Sequence, residues 1–136
     1  GGGFDLTTFC DLRLASTTAT FGHPEIKFGA PPLFTPLRWI VGDGIARDLC
    51  LTGRQVDADE AYRLGLVSRV TAHDCLEEEA LTVAQDIAQA PQHALEATKD
   101  YLTGNCDRSF TESFAVEHDH VFNNYLAGPI GPRAKG

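Results

Sequence analysis

Basic residues are scarce in this 136-residue sequence, where 11 lysines and arginines stand against 19 aspartates and glutamates and the formal net charge is −8. They are also scattered, apart from Arg133 and Lys135 near the end of the chain. Because phosphate binding needs clustered Lys and Arg, this balance argues against a nucleic-acid groove. The hydrophobic content of 43% suits one globular domain with a core.

Paired cysteines and long apolar runs are missing as well. The cysteines at positions 10, 50, 75 and 106 include no CxxC pair, so their spacing does not indicate a zinc framework. Cys10 and Cys50 lie in apolar runs, which predicts that both are buried. No stretch reaches the roughly 20 apolar residues of a membrane span, and no apolar leader segment is present. The sequence therefore predicts a cytoplasmic protein with reduced thiols and no contact with a membrane.

The order of predicted elements is helix, strand, irregular loop and then mostly helices. Alternation in "DLRLAS" predicts a strand, and a second short strand is predicted in "LVSRVT". Only these two strands are predicted, and Trp39 is expected in the core. Asp57 is a predicted helix N-cap, with Glu60 three residues further on. Helices are predicted at 3–10, from Pro36 to Gly53, at 57–65, 74–90, 91–103 and 109–126, with an irregular loop at 29–36 and an irregular tail at 127–136.

Two carboxylates are the candidates for chemistry. Asp5 directly follows the glycine run of "GGGFD", and Glu25 stands in "FGHPEIKFG" among apolar neighbours. Burial would raise the pKa of Glu25 and suit it to acid–base work near neutral pH. Simpler interpretations stay open: the glycines as a linker, Asp5 as a residue that complements the helix dipole, and Glu25 as a surface carboxylate. His118 and His120 are two residues apart on a predicted helix and face different directions, so no metal site is predicted.

Several motifs in sequence carry a resemblance. "GGGFDLTTFCDLRLAS" is followed by "ATFGHPEIKFG", and "GIARDLCLTGRQVDADEAYRLGLVSRV" comes further on. Together they resemble the crotonase superfamily, of which enoyl-CoA hydratase is the familiar member, clearly over residues 1–103 and less specifically to Tyr125. The resemblance implies an α/β protein with a partial crotonase-like (ClpP/crotonase) fold, in which few strands are followed by a helical C-terminal region.

The resemblance also implies a site. Family members bind acyl-coenzyme A thioesters and stabilise an enolate with two backbone N–H groups, one of which corresponds to Gly2. Asp5 and Glu25 correspond to the two carboxylates that handle water and the α-proton in hydratases, although the first of these is usually Glu. The loop that lines the acyl pocket corresponds to Pro32, Leu33 and Phe34. No cofactor is implied, since acyl-CoA is the substrate.

By resemblance, residues 1–72 form the C-terminal part of the crotonase core, 73–126 a helical oligomerisation region, and 127–136 the irregular tail. A full-length member has further sequence before the glycine triplet, so we expect this chain to be a C-terminal portion. A homo-oligomer (trimer or hexamer) or a partner chain that supplies the N-terminal half is expected. The function implied is enoyl-CoA hydratase/isomerase-type chemistry. The alternatives are a non-catalytic remnant or interaction subunit, and an acyl-CoA hydrolase or decarboxylase on the same fold.

Overall fold

The computed structural model describes residues 1–104, 109–121 and 123, in two compact units, Gly1–Gln85 and Asp86–Gly136. The described residues do not include the predicted tail at 127–136, Cys106, Arg133 or Lys135. Apart from residue 123, they also do not include the end of the last predicted helix beyond residue 121. In chain order, the first unit contains α1 (Gly2–Thr8), β1 (Leu14–Ser16), β2 (Thr20–Gly22), a 3₁₀ helix (Pro24–Phe28), α2 (Thr35–Thr52), β3 (Gln55–Asp57), α3 (Ala58–Arg63), β4 (Arg69–Thr71) and a 3₁₀ turn (His73–Cys75).

The helix α4 (Leu76–Ala88) crosses the boundary between the units, and the second unit contains α5 (Gln92–Gly104) and α6 (Phe110–Val121). The predicted helices are confirmed with small shifts of their ends. His118 and His120 both fall in α6. Among the described residues, no helix combines the length and the apolar character needed to cross a membrane.

The strands form two small pairs. Strands β1 and β4 are parallel, with Ala15 opposite Val70, whereas β2 and β3 are antiparallel, with Gly22 opposite Gln55. The prediction of only two strands was wrong, because β2 and β3 form a second pair. Each strand is three residues long, so no alternating pattern can build up, and the partner of β2 lies more than thirty residues further along the chain.

The core of the first unit is built around α2, whose buried side chains pack with those of β3, of α3 and of the turn that follows α3. Its fully buried members with large side chains are Leu37, Leu49, Leu66, Val56 and Val67. Cys50 is buried as predicted, but two other predictions of burial were wrong. Trp39 is 63% exposed because it lies two residues, about 200° of helix rotation, from the inward-facing Leu37. Cys10 is exposed because it follows the end of α1.

Helix termini follow the sequence signals closely. Asp57 caps α3, because its Oδ1 accepts a hydrogen bond from the backbone N–H of Glu60 at 2.8 Å. The Glu60 side chain does not reach back to complete a capping box, since it pairs with Arg54 at 2.8 Å. Helix α2 starts with Pro36 in its first turn, bends at Gly42 (φ 80°) and ends at Gly53 (φ 60°).

Gly53 is the glycine that the fold requires most strictly. A Cβ atom there would lie 2.6 Å from Ile26 Cγ2 and 3.0 Å from the carbonyl oxygen of His23. The positive φ adds strain for any other residue. The close approach at Gly53 therefore joins the end of α2 to the 3₁₀ helix Pro24–Phe28.

We predict that Gly53→Ala lowers the free energy of unfolding by about 2–4 kcal/mol, from strain at positive φ together with overpacking. Urea denaturation followed by circular dichroism measures the change. Gly44→Ala is the matched control, because a Cβ atom at Gly44 in α2 meets nothing within 4 Å. The control should be neutral or stabilising by up to about 1 kcal/mol. Equal effects of the two substitutions would contradict the role given to Gly53.

Candidate active site

Asp5 is positioned by the first turn of α1. The carbonyl of Gly1 accepts hydrogen bonds from the backbone N–H groups of Phe4 (2.7 Å) and Asp5 (3.1 Å), which starts the helix. Phe4 is buried, and its ring lies against Phe21 (5.6 Å between centroids) and His23 (4.7 Å). The buried aromatic ring thus fixes the face of α1 that carries Asp5 towards β2 and the residue that follows it.

Glu25 is positioned by the 3₁₀ helix Pro24–Phe28. Pro24 restricts the backbone at the start of this helix, and Gly29 ends it in the left-handed region at φ 88°. The close contact at Gly53 supports it from the side of α2. The carboxylate of Glu25 is consequently held by a short, braced element and not by a free loop.

The structure brings the two carboxylates together around a histidine. The His23 side chain is fully buried, and its Nδ1 lies 3.0 Å from Glu25 Oε1 and 3.6 Å from Asp5 Oδ1. One donor or acceptor atom from each of the three residues lies within 4.8 Å of the others. We call Asp5, His23 and Glu25 the carboxylate–histidine cluster. The hydrogen bond between Nδ1 and Glu25 explains this spacing without an ion, so we assign no metal ligands here.

Each member of the cluster retains a buried polar atom without a hydrogen-bond partner among the described residues. These atoms are Asp5 Oδ1, His23 Nε2 and Glu25 Oε2. Leaving a buried polar group unsatisfied costs about 1–3 kcal/mol, more when the group is charged. Such a cost is common at sites where a ligand completes the hydrogen bonding. The cluster therefore has the character of a binding or catalytic site.

The electrostatics of Glu25 differ from the sequence-based prediction. Its pKa lies below the ordinary value, chiefly because its carboxylate is hydrogen-bonded by the residue's own backbone N–H. Burial acts in the opposite direction, and the hydrogen bond from His23 lowers the pKa further. The prediction of a raised pKa was wrong because hydrogen bonds to the charged form outweigh desolvation.

A buried thiol lies within electrostatic reach of this cluster. Burial raises the pKa of Cys50 on α2, and the negative charges of Asp5 and Glu25 raise it further. Both effects disfavour the thiolate, which is the nucleophilic form of cysteine. Cys50 is therefore a neutral, unreactive neighbour of the cluster.

The other residues singled out in the sequence lie away from these contacts. Gly2 is exposed in the first turn of α1, and a Cβ atom there would meet nothing within 4 Å. Pro32, Leu33 and Phe34 lie in the irregular connection before α2, where Leu33 is exposed and Phe34 lies 5.8 Å below the guanidinium of Arg47.

His23 is the residue of the cluster that the sequence analysis did not single out. Its signal was available in "FGHPE", where a histidine stands two residues before the candidate carboxylate. A single histidine in an apolar segment does not by itself indicate a site. Only the packing against Phe4 and the convergence of two carboxylates give it significance.

The fold has well-defined relatives among solved structures. A candidate enoyl-CoA hydratase of Thermobifida fusca, solved in complex with acetoacetyl-CoA, superposes with a TM-score of 0.81 at 34% identity, over 88% of this chain and 48% of the other. The enoyl-CoA hydratase subunit I of Geobacillus kaustophilus gives a TM-score of 0.83 at 34% identity, over 90% of this chain and 49% of the other. The chain thus has an α/β structure that forms part of a crotonase fold, as predicted.

A sequence-family model described as enoyl-CoA hydratase/isomerase matches residues 1–127. The chain therefore belongs to the enoyl-CoA hydratase/isomerase family. The probable enoyl-CoA hydratase echA8 of Mycobacterium leprae is 44% identical over 120 residues, which is 86% of this chain and 47% of the relative. A bicyclic carboxyl-CoA hydrolase of Mycobacterium tuberculosis is 36% identical over 128 residues, 94% of this chain and 52% of the relative. The chain spans about half the length of these curated relatives.

We predict that iodoacetamide modifies Cys10 and Cys75 at least about tenfold faster than Cys50, because Cys50 is buried and its pKa is raised. Peptide mass spectrometry after timed alkylation at pH 8 measures each site separately. Unfolding in urea is the control and should make the rates similar. Modification of Cys50 at the rate of Cys10 in the folded protein would show that the thiol is accessible and contradict the structure of this site.

Proposed function

We propose that this chain contributes to enoyl-CoA hydratase/isomerase-type chemistry on acyl-CoA thioesters, with an oxyanion-stabilised enolate as the intermediate. The observation that carries the proposal is the convergence of Asp5 and Glu25, each with a buried carboxylate oxygen that has no hydrogen-bond partner among the described residues. Family membership and the acetoacetyl-CoA complex of a structural relative support the same class of substrate. No cofactor is needed for this chemistry.

Glu25 is the principal acid–base group in the proposed mechanism, and Asp5 is its partner. In hydration, one carboxylate takes a proton from water as the water oxygen bonds to the β-carbon, and the electron pair of the double bond moves toward the thioester. The resulting enolate then receives a proton at the α-carbon. In isomerisation, a carboxylate removes a proton from one carbon and returns it to another. Both reactions need a base that is ionised at the working pH, which suits the lowered pKa of Glu25.

The remaining roles in the proposal come from the family resemblance. The backbone N–H of Gly2 is one donor to the thioester oxygen, where negative charge develops. Pro32, Leu33 and Phe34 line the acyl pocket. Residues 73–126 contribute to self-association as a trimer or hexamer, which sedimentation measures. Because the chain spans about half the length of its curated relatives, these roles are proposed for a site to which this chain contributes.

We predict that Glu25→Gln lowers kcat for crotonyl-CoA by about 10²–10⁴-fold, because the amide cannot accept or deliver the proton. Loss of absorbance from the conjugated thioester measures hydration, and circular dichroism checks the fold. Glu79→Gln is the matched control, since Glu79 is a partly exposed member of a surface ion pair with Arg69. That pair contributes about 0–1 kcal/mol, so the control should keep its activity.

Two outcomes would contradict the proposal. Glu25→Gln with the activity of the parent protein would remove Glu25 from the mechanism. A parent protein that turns over no acyl-CoA would favour the non-catalytic alternative, in which this fold serves as an interaction subunit. In that case, assembly with another chain should be detectable by sedimentation.

Hydrolysis is the second candidate function. The observation that favours it is the 36% identity with a relative named as a carboxyl-CoA hydrolase over 94% of this chain. An oxyanion site that stabilises an enolate also stabilises the charge that forms when water attacks a carbonyl. The same cluster could therefore serve either reaction, and the substrate decides between them.

We predict that the 2-enoyl-CoAs in a panel of acyl-CoAs are converted into 3-hydroxyacyl-CoA thioesters. Mass spectrometry should show the gain of one water with coenzyme A still attached, while a thiol reagent should detect no free coenzyme A. Release of free coenzyme A would indicate thioester hydrolysis. Two carbon fragments would indicate C–C hydrolysis, and loss of carbon dioxide would indicate decarboxylation. Any of these three results would replace hydration as the proposed reaction.

A further inference from the structure

We propose that His23 is a positioning residue that gives its single Nδ1–H to Glu25 in preference to Asp5, and so stabilises the ionised carboxylate of Glu25. This inference rests on the proposed function for its catalytic meaning, but its structural part can be tested without any substrate. It assigns a role to a residue that the sequence analysis passed over. It also gives two carboxylates of similar chemistry different roles.

The first step of the argument is the confinement of the imidazole ring. His23 lies between the end of β2 at Gly22 and the start of the 3₁₀ helix at Pro24, and its side chain has no exposed surface. One face of the ring lies 4.7 Å from the ring of Phe4 with an angle of 32° between the planes. The buried contact with Phe4 restricts the ring to a narrow range of orientations. Nδ1 is therefore held toward the carboxylates.

The second step concerns the direction of the hydrogen bond. An ionised carboxylate has only acceptors, so the contact of 3.0 Å between Nδ1 and Glu25 Oε1 requires the proton on Nδ1. One N–H makes one good hydrogen bond. The distance from Nδ1 to Asp5 Oδ1 is 3.6 Å, beyond a normal hydrogen bond. The Nδ1–H of His23 therefore donates its hydrogen bond to Glu25 and not to Asp5.

The third step is the consequence for the two carboxylates. A hydrogen bond donated to a carboxylate favours its ionised form, and a neighbouring negative charge disfavours it. Glu25 has the donor, and its pKa is lowered in part by this bond. The thiol of Cys50, which remains neutral, also faces the pair. Removal of the His23 donor therefore tests directly whether its hydrogen bond to Glu25 lowers the pKa of that carboxylate.

The test compares three substitutions of His23. His23→Asn places an amide N–H near the position of Nδ1 and should preserve the hydrogen bond. His23→Leu keeps bulk but removes the donor. His23→Gln places its amide one bond further out, near the position of Nε2, and should behave as His23→Leu does. If His23→Leu fails to fold, His23→Gln takes its place, with the amide NMR spectrum as the check on folding.

The substrate-free readout is the titration of the Glu25 side-chain carboxyl carbon by ¹³C NMR. Removing the donor should raise the pKa of Glu25 by about one unit, whereas His23→Asn should stay close to the parent protein. An unchanged titration in His23→Leu, or equal shifts in His23→Asn and His23→Leu, would overturn the proposal.

The kinetic readout is the acidic limb of the kcat/KM profile for crotonyl-CoA. Because the base acts when ionised, activity falls as the pH drops through its pKa. A raised pKa moves this limb to higher pH, by about one unit in His23→Leu. At pH values below the pKa of the base, kcat/KM should then be about tenfold lower than in the parent protein. A purely structural role would lower stability without moving the limb, and that result would count against the proposal. A parent protein without turnover contradicts the proposed function, while the NMR titration still decides the role of His23.

Discussion

The pairing of β2 with β3 is the constraint on which the site depends. It places Gly22 opposite Gln55, so the residues just after β2 and just before β3 meet at one end of the pair. His23 is the first of these and Gly53 closes α2 on the other side, where the space left for a Cβ atom is too small for any side chain. A three-residue strand pair contributes little stability by itself. Its importance is geometric: it aligns the 3₁₀ helix that carries Glu25 with the C-terminus of the longest helix of this unit.

The site combines elements that are far from rigid individually but restrict one another. Helix α1 has seven residues and the 3₁₀ helix has five, and neither length would persist in isolation. Phe4 joins them, since its buried ring contacts both Phe21 in β2 and the imidazole of His23. The carboxylates of Asp5 and Glu25 are thereby held close together although they repel. The hydrogen bond from His23 Nδ1 to Glu25 helps to offset this repulsion.

The sequence predicted the helices, with Gly53 and Asp57 as helix termini, because these depend on local signals. Ordered motifs singled out Asp5 and Glu25, and the catalytic roles of these two residues stay predictions. Long-range features were not predictable. Strands β2 and β3 are too short to show a period, and Trp39 was misplaced because apolar character does not identify the buried side of a helix that bends at Gly42. The pKa of Glu25 was predicted in the wrong direction, since its apolar neighbours were visible in the sequence while its hydrogen bonds were not. His23 was missed for the same reason.

The short side chain of Asp5 affects which carboxylate accepts the hydrogen bond from His23. A glutamate there would extend the carboxylate by about one C–C bond, ~1.5 Å. Asp5 Oδ1 now lies 3.6 Å from Nδ1, while Glu25 Oε1 lies at 3.0 Å. A longer side chain at position 5 could close this gap and compete with Glu25 for the Nδ1–H of His23. The shorter residue leaves the donor with Glu25, so the two carboxylates differ in their hydrogen bonding although both lie in the same cluster. The length of the side chain at position 5 therefore bears on which carboxylate accepts the hydrogen bond from His23.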